Sequence, residues 1–400
     1  MKCLILCGGL GTRLRSVVND KPKSMAEINN KPFLLYQIEY LKKNGFNDFI
    51  LATGYKSNII EEYFLDGKKF NINIQYSKEE TPLGTAGAIR NALNFINENE
   101  DILIINGDTF FEANINSFIK FHKEKKSQIS LLIRYIKNAN RYGLITISND
   151  NKVISWDEKK DANEGFINGG IYIINSKLIK EIPLIKKSLE LDIIPSWLKL
   201  GKEIYAKDDP SYFIDIGIPQ SLKDFIKHNS LAKQKIVFLD RDGTINIDKG
   251  YTINTNDLII IPSMKEKMIK WKKDGYKLIV ITNQSGVARG LYSKKDVNNF
   301  HKYLNEKIDF LIDGFYYCPY HKDGIVKEYK KESYNRKPNP GMLLDCMLDL
   351  ESGFIEYLGE KKKVLPCIID KENSFFVGDK NIDIECANRF GIKGYKVDYE

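Results

Sequence analysis

Long apolar runs are missing from this chain. No stretch of its 400 residues approaches the ~18 consecutive apolar side chains needed to cross a bilayer, so no membrane partner is expected. The opening MKCLILCGG has one Lys and an apolar stretch too brief for a signal peptide, and it runs directly into a glycine-rich loop. Disulfide spacing is missing too. The six cysteines (Cys3, Cys7, Cys318, Cys346, Cys367, Cys386) are scattered without a framework, which favours a reducing, cytoplasmic location. There is no block of basic residues: the net charge of +8 comes from Lys spread along the whole chain. A nucleic-acid partner would call for a clustered basic stripe, so none is expected; a Lys-rich surface and small anionic substrates fit the charge better. No short internal repeat is present.

What is present reads as two α/β domains. With 42% hydrophobic and 28% charged residues the chain can build ordinary cores, and its length exceeds what one core fills. Residues 3–6, 48–53, 71–77 and 101–107 read as strands, alternating with helices over 33–44, 57–65 and 84–96, the pattern of a mostly parallel sheet. From about residue 129, closer-spaced strands suggest an antiparallel extension, including YFIDIGI (212–218), closed by a helix over 219–231. The polar stretch 232–235 is the expected seam. A new strand, IVFLD (236–240), a helix over 263–276 and a strand over 277–283 then restart the pattern. The domains expected are 1–230 and 235–400.

The first chemistry-bearing segment is GGLGTRLR (8–15) with PKSM (22–25). Glycines after a buried strand let backbone N–H groups approach anionic oxygens. A dinucleotide fingerprint would need a third Gly where Leu14 stands, and the Gly-Lys-Ser/Thr of a Walker loop is absent. LGTAGA (83–88) at a helix start is placed to meet a base or ribose. NGD (106–108) sets Asp108 beyond the carboxyl end of a strand, and FIDIG (213–217) offers Asp215. Either Asp alone reads equally well as a turn or cap residue; together beside a phosphate loop they suit Mg²⁺.

These segments, with DEK (157–159), NGGIY (168–172) and FIDIGIP (213–219), resemble the sugar-1-phosphate nucleotidyltransferase family across nearly all of residues 1–230. The opening is most similar to its guanylyltransferases acting on D-glycero-D-manno-heptose 1-phosphate. Ser24 replaces the Pro usual in the PKPM motif, a change expected to alter loop stiffness and not chemistry. The resemblance implies a Rossmann-like (GT-A-like) mixed sheet and attack of a sugar phosphate on the nucleotide α-phosphorus, with GTP the expected nucleotide. Two anions must meet, and one charge pair at 4 Å costs about 4 kcal/mol at an effective dielectric near 20. Arg13, Lys23 and Mg²⁺ on Asp108 and Asp215 are implied to offset that. Gly8, Gly9, Gly11, Thr12, Gly84, Thr85 and Gly107 are implied for the nucleotide. Tyr142, Gly143, Glu158, Lys159, Asn168 and Gly170 are implied for the sugar phosphate, although Glu158–Lys159 alone would read as an exposed ion pair.

In the second half IVFLD leads into DRDGT (240–244). Residues two apart on a strand share a side, so Asp240 and Asp242 both reach a site at its end, one as nucleophile and one managing protons. TNQSG (282–286), RKPNPG (336–341) and FFVGDKNID (375–383) follow in order. The set resembles the haloacid-dehalogenase phosphatases, most closely the branch that removes the 7-phosphate of D-glycero-D-manno-heptose 1,7-bisphosphate. It implies a Rossmannoid parallel sheet without a large cap, an aspartyl-phosphate on Asp240 and acid–base work by Asp242. Thr282 and Lys337 then face the phosphoryl oxygens, Mg²⁺ lies at Asp240, the Asp242 carbonyl and Asp379, and Asn283, Arg289 and Arg336 contact substrate. That branch often carries a loop zinc. Here the matching positions are Cys318, Tyr320, Ser333 and Asn335, with His321 out of register, so no zinc is expected. The segment 353–373 reads as an insertion of unknown role.

The two resemblances converge on GDP-heptose for a bacterial surface glycan, with heptose phosphates as substrates. The alternatives are a dTDP-, CDP- or UDP-sugar transferase with another sugar or histidinol phosphatase, or one half serving as a degenerate binding module. The sequence leaves room for a homo-oligomer.

Overall fold

The computed structural model describes residues 1–9, 20–137, 139, 142–157 and 164–397. The chain divides into two compact units, Met1–Lys227 and His228–Glu400. The expected seam is not a bare linker: Ala232–Gln234 is a strand of the second unit, parallel to Cys367–Ile369. Among the described residues no helix is long and apolar enough to cross a membrane.

The first unit is built on a nine-stranded mixed sheet. Cys3–Leu6 is central, parallel to Asp48–Thr53 on one side and to Asp101–Asn106 on the other. Gly165–Asn175 runs antiparallel to Asp101–Asn106 and begins the antiparallel part. Alternation along the strands supplies two cores, one on each face. Leu4, Ile50 and Ile104 face one core, and Ile5, Leu51 and Leu103 the other. Each such side chain taken from water contributes about 1.5–3 kcal/mol before chain entropy is counted.

The expected strand near 212–218 does not extend this sheet. Phe213–Asp215 pairs instead with Thr109–Phe111 in a separate two-stranded ribbon, Asp215 opposite Thr109. An aromatic cluster of Phe33, Phe110 and Phe225 packs around it. Tyr205–Asp208, which the sequence did not suggest as a strand, runs parallel to Ile129–Ile136.

The second unit has a five-stranded parallel sheet in the order Gly314–Cys318, Lys277–Asn283, Ile236–Leu239, Phe375–Gly378, Lys393–Lys396. Ile236–Leu239 is buried on both faces: Ile236 and Phe238 face one core, Val237 and Leu239 the other. The chain passes to opposite sides of this strand, and a switch point of that kind opens a crevice at the strand ends. The segment expected as an insertion forms the hairpin Phe354–Tyr357/Glu360–Lys363 and the strand Cys367–Ile369.

Candidate active sites

In the first unit the ribbon register decides the site. Pairing Asp215 with Thr109 brings it beside Asp108, and the Ile216 N–H donates to the Asp108 carbonyl at 2.9 Å. Lys23 then lies between the carboxylates, its Nζ 2.7 Å from Asp108 Oδ2 and 3.4 Å from Asp215 Oδ1. Burial first, and then the charge of Asp108, raises the Asp215 pKa, while Lys23 opposes the rise. Two neighbouring carboxylates, with the charge of Asp108 disfavouring that of Asp215, fit a divalent cation. Gln37, which the sequence reading missed, fixes the turn that carries Asp108: its Nε2 donates to the Asn106 and Thr109 carbonyls at 3.0 and 2.6 Å. A polar residue among the apolar positions of a helix was the available signal. Gly107 is required there, because a Cβ would sit 2.5 Å from the Leu6 carbonyl oxygen.

Two hollows meet at this carboxylate pair. One, of about 440 Å³, is lined by Gly8, Gly9, Gly84, Thr85 and Gly107. The other, of about 280 Å³, is lined by Tyr142, Gly143, Asn168 and Gly170. Asn106, Asp108 and Asp215 line both. Gly11, Thr12, Arg13, Glu158 and Lys159 lie outside the described residues.

Glu79 and Glu190 also line these hollows and were not singled out from the sequence. Glu79 Oε2 accepts from the Leu83 N–H at 2.9 Å, and burial raises its pKa. Its Oε1 lies over Gly8 and Gly54, where a Cβ would come within 2.4 and 2.6 Å. Lone acids in polar stretches carry no signal of their own, which is why both were missed.

The second site is deeper. Lys337 Nζ contacts Asp240 Oδ1 at 2.8 Å, Asp383 Oδ1 at 2.7 Å and the Ile281 carbonyl at 2.9 Å. Burial pushes the Asp240 carboxyl up to about 6, against the pull of Lys337. Burial also works against the Lys337 ammonium, but the charges of Asp240 and Asp383 more than offset it and hold its pKa above the usual range. Ligand atoms of Asp240, Asp379 and Asp383 lie within 4.8 Å of one another. Asp379 Oδ1 is buried and has no hydrogen-bond partner among the described residues, and Gly243 (φ +80) leaves room where a Cβ would meet Asp379 Oδ2 at 2.4 Å. Three carboxylate donors with one unpartnered oxygen fit Mg²⁺, and Lys337 already offsets the charge of two of them. Asp383 was not anticipated, although it stands at the end of the quoted FFVGDKNID: it opens a helix, Asn381–Phe390, that turns it inward.

The Asp242 carboxylate is not part of that acidic group. Arg241 Nε and Nη2 donate to it at 3.0 and 2.7 Å, Asn246 Nδ2 at 3.0 Å and Gln284 Nε2 at 3.1 Å. Its charge still reaches Asp240, raising that carboxyl. Thr282 is buried and accepts from Gln284 Nε2 at 3.0 Å. Asn283 exchanges hydrogen bonds with the Lys337 backbone at 3.1 and 3.2 Å, so it positions Lys337. Arg289 lies close enough to Arg336 for its charge, after burial, to lower the Arg336 pKa, a pairing that suits an anion. At the positions compared with a zinc loop, the Cys318 thiol lies 3.9 Å from the Tyr320 carbonyl, and Lys331 stands over the Tyr320 ring at 4.5 Å.

Residues 2–231 match the family model described as nucleotidyl transferase. The chain belongs to that family. Residues 235–398 match a second model, polynucleotide kinase 3 phosphatase, so a phosphatase unit follows the transferase. The D-glycero-alpha-D-manno-heptose 1-phosphate guanylyltransferase of Campylobacter jejuni is 41% identical over 230 residues, 57% of this chain and 100% of the relative. Its namesake from Aneurinibacillus thermoaerophilus is 44% identical over 225 residues, 56% of this chain and 96% of the relative. Among solved structures, HddC from Yersinia pseudotuberculosis complexed with GMP-PN matches with a TM-score of 0.50 and 38% identity, covering 56% of this chain and 96% of that one.

Proposed function

We propose that this is a bifunctional enzyme of GDP-heptose formation. The second unit removes the 7-phosphate of D-glycero-D-manno-heptose 1,7-bisphosphate, and the first transfers GMP from GTP to heptose 1-phosphate, releasing pyrophosphate. The observation that carries this reading is the pair of hollows meeting at Asp108 and Asp215, one glycine-lined for a nucleotide and one polar for a sugar phosphate. Glu79 favours guanine: a held carboxylate accepts from N1–H and the N2 amine together, donors no other common base presents side by side. The namesakes' specificity points the same way. We place the reaction in the cytoplasm, where nucleoside triphosphates are available.

Asp108 and Asp215 would hold Mg²⁺ in the first unit; Asp240, Asp379 and Asp383, with the Asp242 carbonyl, would hold it in the second. When bound it neutralises phosphate oxygens. In the first unit Lys23 brings positive charge to the junction where the two anions meet, and Asn168 and Gly170 hold the sugar. In the second, Arg241 N–H and Lys337 Nζ both engage Asp240 Oδ1, at 2.8 Å each, which leaves Oδ2 to attack phosphorus. Asp242, once turned out of the Arg241, Asn246 and Gln284 donors that hold its carboxylate here, gives the leaving oxygen its proton and then takes one from the water that hydrolyses the aspartyl-phosphate. Lys337 and Thr282 steady the phosphoryl oxygens, and Arg289 and Arg336 hold the 1-phosphate.

The test supplies heptose 1,7-bisphosphate with each nucleoside triphosphate and follows orthophosphate and pyrophosphate separately. Orthophosphate should appear first, and pyrophosphate only with GTP. Pyrophosphate with CTP or dTTP in preference would sink the guanylyl assignment.

A further inference from the structure

One hydrogen-bonded chain joins the two hollows of the first unit, and no role proposed above uses its centre. Glu190 lies in a π-helical turn, Leu189–Ile193, a local form that often marks functional sites. Its Oε2 accepts from Thr85 Oγ1 at 2.7 Å and from Ser188 Oγ at 2.9 Å. Its Oε1 accepts from the Tyr172 hydroxyl at 3.1 Å. That hydroxyl accepts from Asn168 Nδ2 at 2.5 Å, and Asn168 Oδ1 accepts from the Gly170 N–H at 3.0 Å. Thr85 lines the glycine-rich hollow, while Asn168, Gly170 and Glu190 line the other.

The direction of these bonds matters. Three donors converge on one carboxylate, so only an acceptor-only group satisfies the junction. Tyr172 is fully buried in the sheet, and Thr85 Oγ1 also accepts from the Leu189 N–H at 2.7 Å, tying the turn to the start of the helix Gly84–Asn91. Any shift of that helix start would be carried by Thr85 to Glu190, and by Tyr172 to the floor of the second hollow.

We infer that Glu190 is a positioning residue coupling nucleotide occupancy to sugar-phosphate affinity through the Thr85–Glu190–Tyr172–Asn168 chain. The inference rests on the assignment of the two hollows proposed above. Glu190→Gln keeps the size but turns an NH₂ toward a donor, breaking one link. Thr85→Val cuts only the nucleotide side, and Tyr172→Phe only the sugar side.

The experiment measures heptose 1-phosphate binding to the full-length chain by calorimetry, with and without a non-reactive guanosine triphosphate analogue. Thermal unfolding serves as a check on folding. The wild type should bind the sugar phosphate about tenfold more tightly with the analogue present, within the usual range of coupling between sites. Glu190→Gln, Thr85→Val and Tyr172→Phe should each reduce that ratio towards one, and Thr85→Val/Tyr172→Phe should reduce it no further than either single change. An unchanged ratio in folded Glu190→Gln, or a wild-type ratio of one, would overturn the coupling. Failure of the wild type to bind the analogue at all would instead count against the guanylyl reading.

Discussion

Lys23 and Lys337 each bridge two aspartates, at 2.7 and 3.4 Å in one unit and at 2.8 and 2.7 Å in the other, yet the surroundings differ. The Lys23 side chain is 14% exposed and its partners 41% and 38%; Lys337 is 1% exposed and its partners 8% and 0%. Water reaches the first site because two substrates must enter and a nucleotide sugar must leave. The second handles one phosphoryl group and the water that hydrolyses it, so its charged groups can lie deep. At that depth the same charges act more strongly and each becomes a structural necessity. The lesson is that matching constellations divide between function and folding according to depth.

The sharpest way to break the comparison is to silence each site alone. Asp240→Asn removes the proposed nucleophile, so orthophosphate release should fall at least about a thousandfold, while nucleotidyl transfer to supplied heptose 1-phosphate continues. Asp215→Asn should do the reverse, costing about a hundredfold to a thousandfold in pyrophosphate release and sparing the phosphatase. Loss of both activities from either substitution would show that the units are not separate machines.

Stability sharpens the same contrast. Lys337→Met leaves the Asp240 and Asp383 carboxylates buried without their cation, and breaking a buried pair in this way costs about 3–5 kcal/mol. Denaturant unfolding should show the second unit's transition moving by that amount. Lys23→Met removes a cation from carboxylates that are partly open to water, so its unit should shift by less than about 1 kcal/mol while transferase activity collapses. Equal shifts would mean that exposure does not separate the two sites.

Depth also explains what could be read from the sequence. Asp108, Asp240 and Asp379 each follow a buried strand, and the apolar runs ILII, IVFL and FFV announce that position. Asp215 and its pairing with Asp108 were legible as motifs, but the strand that brings them together was not: the ribbon with Thr109–Phe111 is a pairing across the chain that local pattern does not encode, and YFIDIGI read equally well as one more strand of the large sheet. The Asp242 carboxylate faces its own neighbour Arg241, because a fully buried guanidinium must find acceptors, a demand that strand alternation leaves out. Gln37, Glu79 and Glu190 act across long separations and became visible only when helices and loops were folded over the sheet.

Glu79 gives the smallest expected effect, and it tests how an exposed site obtains specificity. Its carboxylate is held by the Leu83 N–H and packed over Gly8 and Gly54, so it is fixed although water is near. Glu79→Gln replaces one acceptor by a donor that opposes the guanine N1–H or N2 amine. The preference for GTP over ATP, read as the ratio of kcat/KM values, should fall about tenfold to a hundredfold, in line with about 1–3 kcal/mol for a bidentate base contact. Acid should mimic the change. Burial raises the Glu79 pKa, so protonation begins above the usual carboxylate range as pH falls, and KM for GTP should rise there in the wild type but not in Glu79→Gln. Folding runs with the opposite sign: a raised carboxyl pKa stabilises the fold at low pH and loses that contribution as pH rises through it. A KM that climbs on acidification while unfolding shows no loss of stability would therefore place the effect in base recognition. The same climb in Glu79→Gln would assign it to another group.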